Sequence, residues 1–213
     1  MQKIKRTRVK ICGFTSAEQA VYAAYAGTDA IGLVFYAASP RHVSIAKAQE
    51  IVAALPAFTT VVALFVDATK EQIKEVIAHV AIDVLQFHGD ESGDECRMYD
   101  KPYIKAIRMH SEVNIDALTT EFHDAQGLLL DAYHAKAKGG TGEQFNWDLI
   151  PEHCNLPIIL AGGLGSHNAR DAIAQVQPYA LDVSSGVEAA KGIKDNNKIA
   201  AFLTEVYLSD RNN

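Results

Sequence analysis

The stretch VKICGFT, residues 9–15, is where both the fold and the candidate site begin. An apolar run stops at Cys12 and Gly13 follows at once, a pattern typical of a strand that ends in a turn. Thr15 and Glu18 have the spacing of a capping box, so we expect a helix to begin directly after the turn. A thiol at the carboxyl end of a strand can face an active site. It can equally be a packed core thiol, because free cysteine is among the most buried residue types.

An apolar strand-like run followed by a helix-like one repeats along the chain. Capping residues predict helix starts after Ser44, Thr69, Ser92, Ser111 and Ser166, and polar residues 209–213 are expected to fray. The predicted strands are 9–12, 30–36, 59–66, 82–87, 103–107, 127–131, 157–161 and 179–183.

Eight strand-like runs that alternate with helix-like ones predict parallel strands joined by crossover helices. Eight is also the number that a closed (β/α)8 barrel requires. The competing open doubly wound sheet usually has a glycine-rich first turn, and here Gly13 stands alone in that turn. Because no linker or low-complexity tract interrupts the alternation, we expect a single (β/α)8-barrel domain over residues 1–213.

Composition narrows the class of protein. The chain of 213 residues is 48% hydrophobic and 22% charged, which is typical of a globular protein. Its net charge of -6 and its dispersed basic residues argue against a nucleic-acid partner. Three widely spaced cysteines form neither a disulfide framework nor zinc-type pairs, so a reducing compartment is expected. The longest apolar segment is too short for a membrane span and the first eight residues do not resemble a signal peptide, so we expect a cytoplasmic protein without a membrane partner.

The carboxyl ends of all strands meet at one face of such a barrel, so residues distant in sequence become neighbours there. Any single polar residue at a strand end could serve only as a turn or cap residue. Taken together, the set predicts a functional pocket. The residues expected at this face are Cys12, Arg41, Asp67, Gln86, His88, Arg108, Asp131, Gly162 and Ser184.

Small residues after the last two predicted strands indicate a phosphate site, because barrels often bind phosphate there through backbone N–H groups. Gly140 and Gly142 could extend this cradle or hinge a lid over the pocket. The predicted phosphate-binding residues are Gly162, Gly163, Ser184, Ser185 and Gly186.

Asp131 and Cys12 are the candidate proton-transfer groups. Asp131 ends an apolar strand, where partial desolvation would favour its protonated form, although it could also cap its own loop. Cys12 would be an adequate base or nucleophile if a nearby cation lowered its pKa. An acid and a base that face one substrate suggest isomerisation. Cysteine hydrolysis assisted by His88 or His134 lacks a local motif, and a metal site of His88, Asp131 and His134 lacks a recognisable ligand spacing.

Six fragments together resemble the phosphoribosylanthranilate isomerase family of tryptophan biosynthesis. The cysteine opening, the GGTG loop and the DVSSGVE segment are specific in this order and spacing. The resemblance implies a (β/α)8 barrel that performs an Amadori rearrangement, an aldose–ketose isomerisation, without a metal or nucleotide cofactor. Its substrate would be a small phosphosugar that carries an anthranilate. The fragments are VKICGFT, SPRHVS, LQFHGDE, LLLDAYHAKAKGGTG, ILAGGL and LDVSSGVE with the GIKD that follows it.

The resemblance also implies a role for each matching residue. Asp131 would be the general acid that opens the ribose ring, and Cys12 the general base at C2. Arg41 would bind the anthranilate carboxylate. Gln86 and His88 would line the pocket. The glycines and serines after the last two strands would bind the phosphate, with Gly140 and Gly142 closing over it.

Other interpretations stay open at this stage. A related isomerase of histidine biosynthesis would be expected to use a pair of aspartates, whereas the first strand here offers Cys12. A non-catalytic phosphometabolite-binding barrel would keep the anion cradle alone. The chain starts at a methionine with no synthase barrel before it, so a stand-alone form is expected, either monomeric or homodimeric.

Overall fold

Parallel strands form the centre of the molecule. The computed structural model describes residues 6–132 and 145–212, and within them eight strands close into a barrel in which β1 pairs with both β2 and β8. This confirms the predicted (β/α)8 barrel and excludes the open sheet. The strands are β1 (Arg8–Cys12), β2 (Ala30–Val34), β3 (Thr60–Phe65), β4 (Val84–Phe87), β5 (Tyr103–Met109), β6 (Leu128–Ala132), β7 (Ile158–Leu160) and β8 (Ala180–Val183).

Helices surround the barrel, and a short antiparallel hairpin, β9 (Glu188–Ala190) with β10 (Ile193–Lys194), follows β8. The segment around residue 147 is a 3-10 turn, Trp147–Leu149, and a second turn, Ser185–Val187, follows β8. No helix within the described residues is both long and apolar enough to cross a membrane. The helices are α1 (Ala17–Ala26), α2 (Ile45–Ala54), α3 (Lys70–His79), α4 (Gly93–Cys96), α5 (Ile115–Glu121), α6 (Ala169–Val176) and α7 (Asn196–Asn212).

Three of the predicted helix caps are confirmed. The Ser44 hydroxyl accepts a hydrogen bond from the Lys47 N–H at the start of α2. Thr69 opens α3 and Ser92 opens α4, each in a complete capping box. These hydroxyls satisfy N–H groups that the first helical turn leaves without partners.

The cap predicted at Thr15 is wrong. Helix α1 begins after Ser16, and the Thr15 hydroxyl instead donates to the Gly192 carbonyl in the β9–β10 hairpin. The Thr15 side chain therefore makes its hydrogen bond to a residue 177 positions away in the chain and does not cap the helix.

The caps predicted at Ser111 and Ser166 are also wrong. Asn114 caps α5 by accepting from the Ala117 N–H. Helix α6 starts only after Asn168, whose amide holds the preceding loop through Gly165 and Gly163. At α5, Asn114 replaces the expected serine, since asparagine is at least as good a capping residue. At α6, Asn168 occupies the N-cap position without making a side-chain capping bond.

The last helix extends further along the chain than predicted. Helix α7 continues through Asn212, although residues 209–213 were expected to fray. The Asp210 carboxylate accepts hydrogen bonds from the N–H and the hydroxyl of Thr7, which precedes β1. This contact ties the last helix to the amino-terminal end of the barrel.

Successive side chains of each strand face opposite sides of the barrel wall. The outward-facing ones pack against the helices, whereas the inward-facing ones fill the barrel. An apolar layer of Val62, Ile104, Leu129 and Ile159 occupies part of the interior. Near the carboxyl ends of β1, β4 and β6, the inward positions instead carry Cys12, Gln86 and Asp131. The fold therefore positions a cluster of buried polar groups at the mouth of the barrel, the end where the carboxyl ends of the strands meet.

Candidate active site

Cys12, Gln86, His88 and Asp131 are buried at the carboxyl ends of β1, β4 and β6. No more than 6% of any of them is exposed. Strand pairing sets their direction: Cys12 lies beside Gly32, and Gln86 beside the inward-facing Ile104. The structure thus brings to one mouth the polar residues that the sequence placed there.

Asp131 belongs to a short chain of polar contacts across the mouth. Its Oδ1 accepts a hydrogen bond of 2.8 Å from the Ala132 N–H, and its Oδ2 lies 3.3 Å from His88 Nε2. Gln86 Nε2 lies 3.0 Å from His88 Nδ1. If the amide donates, Nδ1 accepts and the imidazole proton resides on Nε2, facing Asp131; the amide orientation and the tautomer are assigned from this contact. The histidine ring therefore lies between the amide and the carboxylate.

The Cys12 sulfur fits a space that a glycine leaves open. A Cβ on Gly32 would lie 2.8 Å from the sulfur, so a side chain at that position would displace it. The Ser184 hydroxyl donates to the Cys12 carbonyl at 2.9 Å and fixes the end of β1. Burial raises the pKa of the Cys12 thiol, while the charges of Lys10 and Lys194 act in the opposite direction. The cations that a thiolate needs are present, but the effect of burial exceeds theirs.

Arg41 lies in a buried cluster with two residues of the hairpin. Its Nε and Nη2 donate to the two oxygens of Glu188 at 2.7 and 2.8 Å, and Lys194 donates to the same carboxylate at 2.9 Å. Burial acts to raise the pKa of Glu188, but the hydrogen bond from Arg41 and the charge of Lys194 outweigh it and leave that pKa below its ordinary value. Two cations around one carboxylate leave a net positive charge beside the mouth.

The end of β7 comes close to Asp131. Gly162 and Gly163 have φ of 82° and 63°, in the left-handed region that glycine adopts readily. A Cβ on Gly162 would lie 2.6 Å from the Ala132 nitrogen and 3.1 Å from Asp131 Oδ1. A Cβ on Gly186 would overlap the Leu164 carbonyl. These glycines bring backbone close to the mouth, as an anion cradle requires, and their phosphate contacts stay a prediction.

Two other residues expected at this face belong to its rim. Arg108 forms an ion pair with Asp90, and Asp67 accepts a hydrogen bond of 2.7 Å from the Asp90 N–H. These contacts connect the loops that follow β3 and β4 to the end of β5. Gly140, Gly142 and His134 lie outside the described residues. Among those described, no group of three or more histidine, cysteine or acidic side chains could hold a metal ion.

Sequence reasoning missed several charged residues that adjoin the site. Lys10 and Asp182 form an ion pair of 2.8 Å inside the barrel, and Glu188 and Lys194 complete the cluster around Arg41. A charged residue within an apolar strand, as in VKIC and ALDV, was the available signal. Gly32 gave no local signal, because the sulfur that occupies its space comes from another strand.

A closed barrel with acid, thiol and imidazole groups buried at its carboxyl-end mouth defines a (β/α)8-barrel enzyme, since catalysis in this fold takes place at that face. Residues 9–205 match the family model described as N-(5'phosphoribosyl)anthranilate (PRA) isomerase. The chain therefore belongs to the PRA isomerase family. The resemblance noted in the sequence is confirmed, and the histidine-pathway alternative is not favoured.

Individual relatives agree with this assignment. N-(5'-phosphoribosyl)anthranilate isomerase of Pseudomonas savastanoi pv. phaseolicola is 54% identical over 200 residues, which cover 94% of this chain and 97% of the relative. The Pseudomonas fluorescens SBW25 protein of that name is 55% identical over 202 residues, covering 95% and 96%. The crystal structure of phosphoribosyl anthranilate isomerase from Thermotoga maritima superposes with a TM-score of 0.86 at 36% identity, covering 94% of this chain and 98% of the other.

Proposed function

We propose that this chain converts N-(5'-phosphoribosyl)anthranilate to 1-(2-carboxyphenylamino)-1-deoxyribulose 5-phosphate, the Amadori step of tryptophan biosynthesis. The observation that carries the proposal is that β1 and β6 of a family member bring Cys12 and Asp131 to one buried mouth. A solved phosphoribosyl anthranilate isomerase, 36% identical to this chain, is described in complex with reduced 1-(o-carboxyphenylamino)-1-deoxyribulose 5-phosphate. That ligand is a reduced form of the proposed product.

Asp131 is the proposed general acid. It protonates the ribose ring oxygen, the C1–O bond breaks, and the nitrogen lone pair forms the C1=N bond of a Schiff base. Because the Ala132 N–H occupies Oδ1, Oδ2 is the oxygen that would carry the transferred proton. His88 lies 3.3 Å from Oδ2 and would keep that oxygen oriented, with Gln86 fixing the imidazole.

Cys12 is the proposed general base. Its thiolate removes the proton from C2, the C2–H electron pair forms the C1=C2 bond, and the C1=N pair moves to nitrogen. The resulting enolamine tautomerises to the ketone. A well-placed proton transfer contributes about a hundred- to ten-thousand-fold to the rate.

Anion binding is assigned to the groups around the two proton-transfer residues. Glu188 occupies the Nε/Nη2 edge of Arg41, so the Nη1 edge would meet the anthranilate carboxylate. The net positive charge of Arg41, Glu188 and Lys194 would suit an anionic substrate. Gly140 and Gly142 would close over the phosphate. The proposed phosphate-binding residues are Gly162, Gly163, Ser184, Ser185 and Gly186.

The broader setting is inferred from the sequence as a whole. We infer one domain over residues 1–213 because no linker interrupts the alternation of strands and helices. Composition and charge favour a cytoplasmic location without a nucleic-acid or membrane partner, and the family resemblance implies that no cofactor is needed. One solved structure is described as monomers generated from the dimeric Thermotoga maritima isomerase, and we propose a monomer or a homodimer here. Light scattering of the purified protein would distinguish the two states.

The proposed activity is tested by following loss of anthranilate-type fluorescence with purified protein and freshly made substrate. Wild type should turn the substrate over, and Asp131→Asn should lose about a hundred- to ten-thousand-fold in kcat while still binding it. Asp124→Asn is the matched control, because Asp124 contacts Arg97 and Tyr103 away from the mouth. Binding without turnover by wild type would instead support a binding module. Turnover of the histidine-pathway substrate alone would support the other isomerase.

A further inference from the structure

A buried ion pair lies inside the barrel beneath the candidate base. Lys10 precedes Cys12 by two residues on β1, so both side chains face inward. Lys10 pairs in register with Asp182 on β8, and Lys10 Nζ lies 2.8 Å from Asp182 Oδ1. The Lys10 and Asp182 side chains are 6% and 9% exposed. A complete pair of charges has thus been taken out of water next to a thiol.

Stability alone does not account for this pair. Removing two charges from water is costly, and apolar side chains of similar volume in place of a buried pair are often as stable or more stable. The barrel interior elsewhere uses that option, with Val62, Ile104 and Leu129 at inward positions. The position of the charges beside Cys12 therefore points to a functional reason.

The thiol has titratable and charged neighbours on several elements. Lys10 lies on its own strand, Asp182 on β8 and Lys194 on β10, and all three act on it electrostatically. Arg41, in the loop after β2, also interacts electrostatically with Cys12, but its guanidinium is bound to Glu188. From β6 and β4, the Asp131 carboxylate and the His88 imidazole face the interior and act on Asp182.

We propose that Lys10 is a positioning residue whose ammonium, fixed by Asp182, stabilises the Cys12 thiolate. The need for that thiolate rests on the proposed function. Lys10 acts through the sulfur, and the proton that the thiol loses goes to solvent. Lys194 is already shared between Glu188 and Ser184. Among the described residues, Lys10 is therefore the cation acting on the thiol that does not belong to the Arg41 cluster.

The directions of the pKa shifts support this assignment. Burial is the largest influence on the Cys12 thiol and raises its pKa, and Lys10 is the strongest influence that opposes it. Burial also acts to lower the pKa of Lys10, yet Asp182 and Cys12 outweigh it and leave that pKa above its ordinary value. Lys10 therefore keeps its charge near neutral pH. Loss of its charge should raise the Cys12 pKa further.

The test measures the rate of Cys12 alkylation by iodoacetamide against pH, without substrate, by peptide-resolved mass spectrometry. Cys154, which is partly exposed, serves as the internal control in the same sample. Lys10→Met should slow Cys12 alkylation about tenfold at a fixed pH below its midpoint, since one pKa unit changes the thiolate fraction about tenfold. The acid limb of the kcat/KM profile should move to higher pH with it. Lys10→Arg keeps the charge, so its Cys12 alkylation rate and the acid limb of its kcat/KM profile should lie closer to those of wild type.

Lys10→Met leaves Asp182 without its partner and could fail to fold. The double variant Lys10→Met/Asp182→Leu removes both charges and fills their place with apolar side chains. It should still raise the Cys12 midpoint, because Lys10 has a larger influence on the thiol than Asp182. An unchanged Cys12 midpoint in the folded double variant overturns the proposal. Absence of wild-type isomerase turnover would overturn the proposed function separately, because alkylation needs no substrate.

Discussion

The two faces of the barrel wall have opposite chemistry. The outer face and the helices bury large apolar side chains, among them Phe65, Phe87 and Phe202, which are at most 1% exposed. The inner face also buries charged residues: Lys10 and Asp131 are only 5% and 6% exposed. Apolar burial is the main source of folding free energy, whereas buried charges contribute little net stability. The outer layer therefore stabilises the barrel, and the mouth uses that stability to hold reactive groups in place.

Two buried cysteines test this comparison most strongly. Cys12→Ala should lower kcat by about a hundred- to ten-thousand-fold with little loss of stability, because Cys12 is the proposed base. Cys96 belongs to the outer layer, where burial raises its pKa to about 12. Cys96→Ala should keep kcat and lose about 1 kcal/mol of unfolding free energy. Fluorescence-monitored turnover and urea unfolding measure the two effects, and full turnover by Cys12→Ala would contradict the base assignment.

A large truncation in the outer layer should act in the reverse way. Phe202 on α7 is fully buried, so Phe202→Ala should lower the unfolding free energy by about 3–5 kcal/mol. Turnover per folded molecule should change little, because the mouth is not touched. Tyr25→Ala on α1 is the control, since Tyr25 is 78% exposed. Denaturant unfolding and activity of the same samples check this. A large loss of kcat in folded Phe202→Ala would show that the two layers are not separable.

The cluster around Arg41 predicts a pH dependence. The pKa of Glu188 is lowered in the folded state relative to about 4.3 when unfolded, so its stabilisation is present above that value and is lost as the pH falls below it. Glu188→Gln should cost about 1.5–3 kcal/mol at pH 7 and flatten the loss of stability below pH 4.3. Glu50→Gln is the control, because its partner Lys47 and Glu50 itself are solvent-exposed. Urea unfolding at several pH values is the measurement, and equal slopes in the two variants would contradict the role of Glu188.

Sequence patterns predicted the barrel because each strand and helix carries its own local signal. Apolar runs and turn residues located the strands to within a few residues, and the placement of Cys12 and Asp131 at strand ends followed from the fold. The Lys10–Asp182 pair could not be predicted in the same way. Buried parallel strands are apolar on both faces, so the inward positions are not evident until the pairing register is known. Register places Lys10 beside Asp182, 172 residues away in the chain.

Helix starts show a second limit of local reasoning. Thr69 and Ser92 capped their helices as their spacing predicted, whereas Thr15 had the same spacing and did not. The difference is a competing acceptor, the Gly192 carbonyl, which comes from a hairpin at the far end of the sequence. A capping-box pattern therefore predicts a helix start only where the hydroxyl has no competing tertiary hydrogen-bond partner.

That difference gives the smallest of the expected effects. The Thr69 hydroxyl accepts from the Gln72 N–H, so Thr69→Ala should lower the unfolding free energy by about 1 kcal/mol. Ser16 precedes α1 but makes no side-chain capping bond, so Ser16→Ala should have almost no effect. Both positions belong to the outer ring, and neither substitution should alter kcat. Thermal and urea unfolding of the two variants provide the measurement. An equal loss in both would mean that side-chain capping does not decide the stability of these helices, and the outer layer would then depend on apolar packing alone.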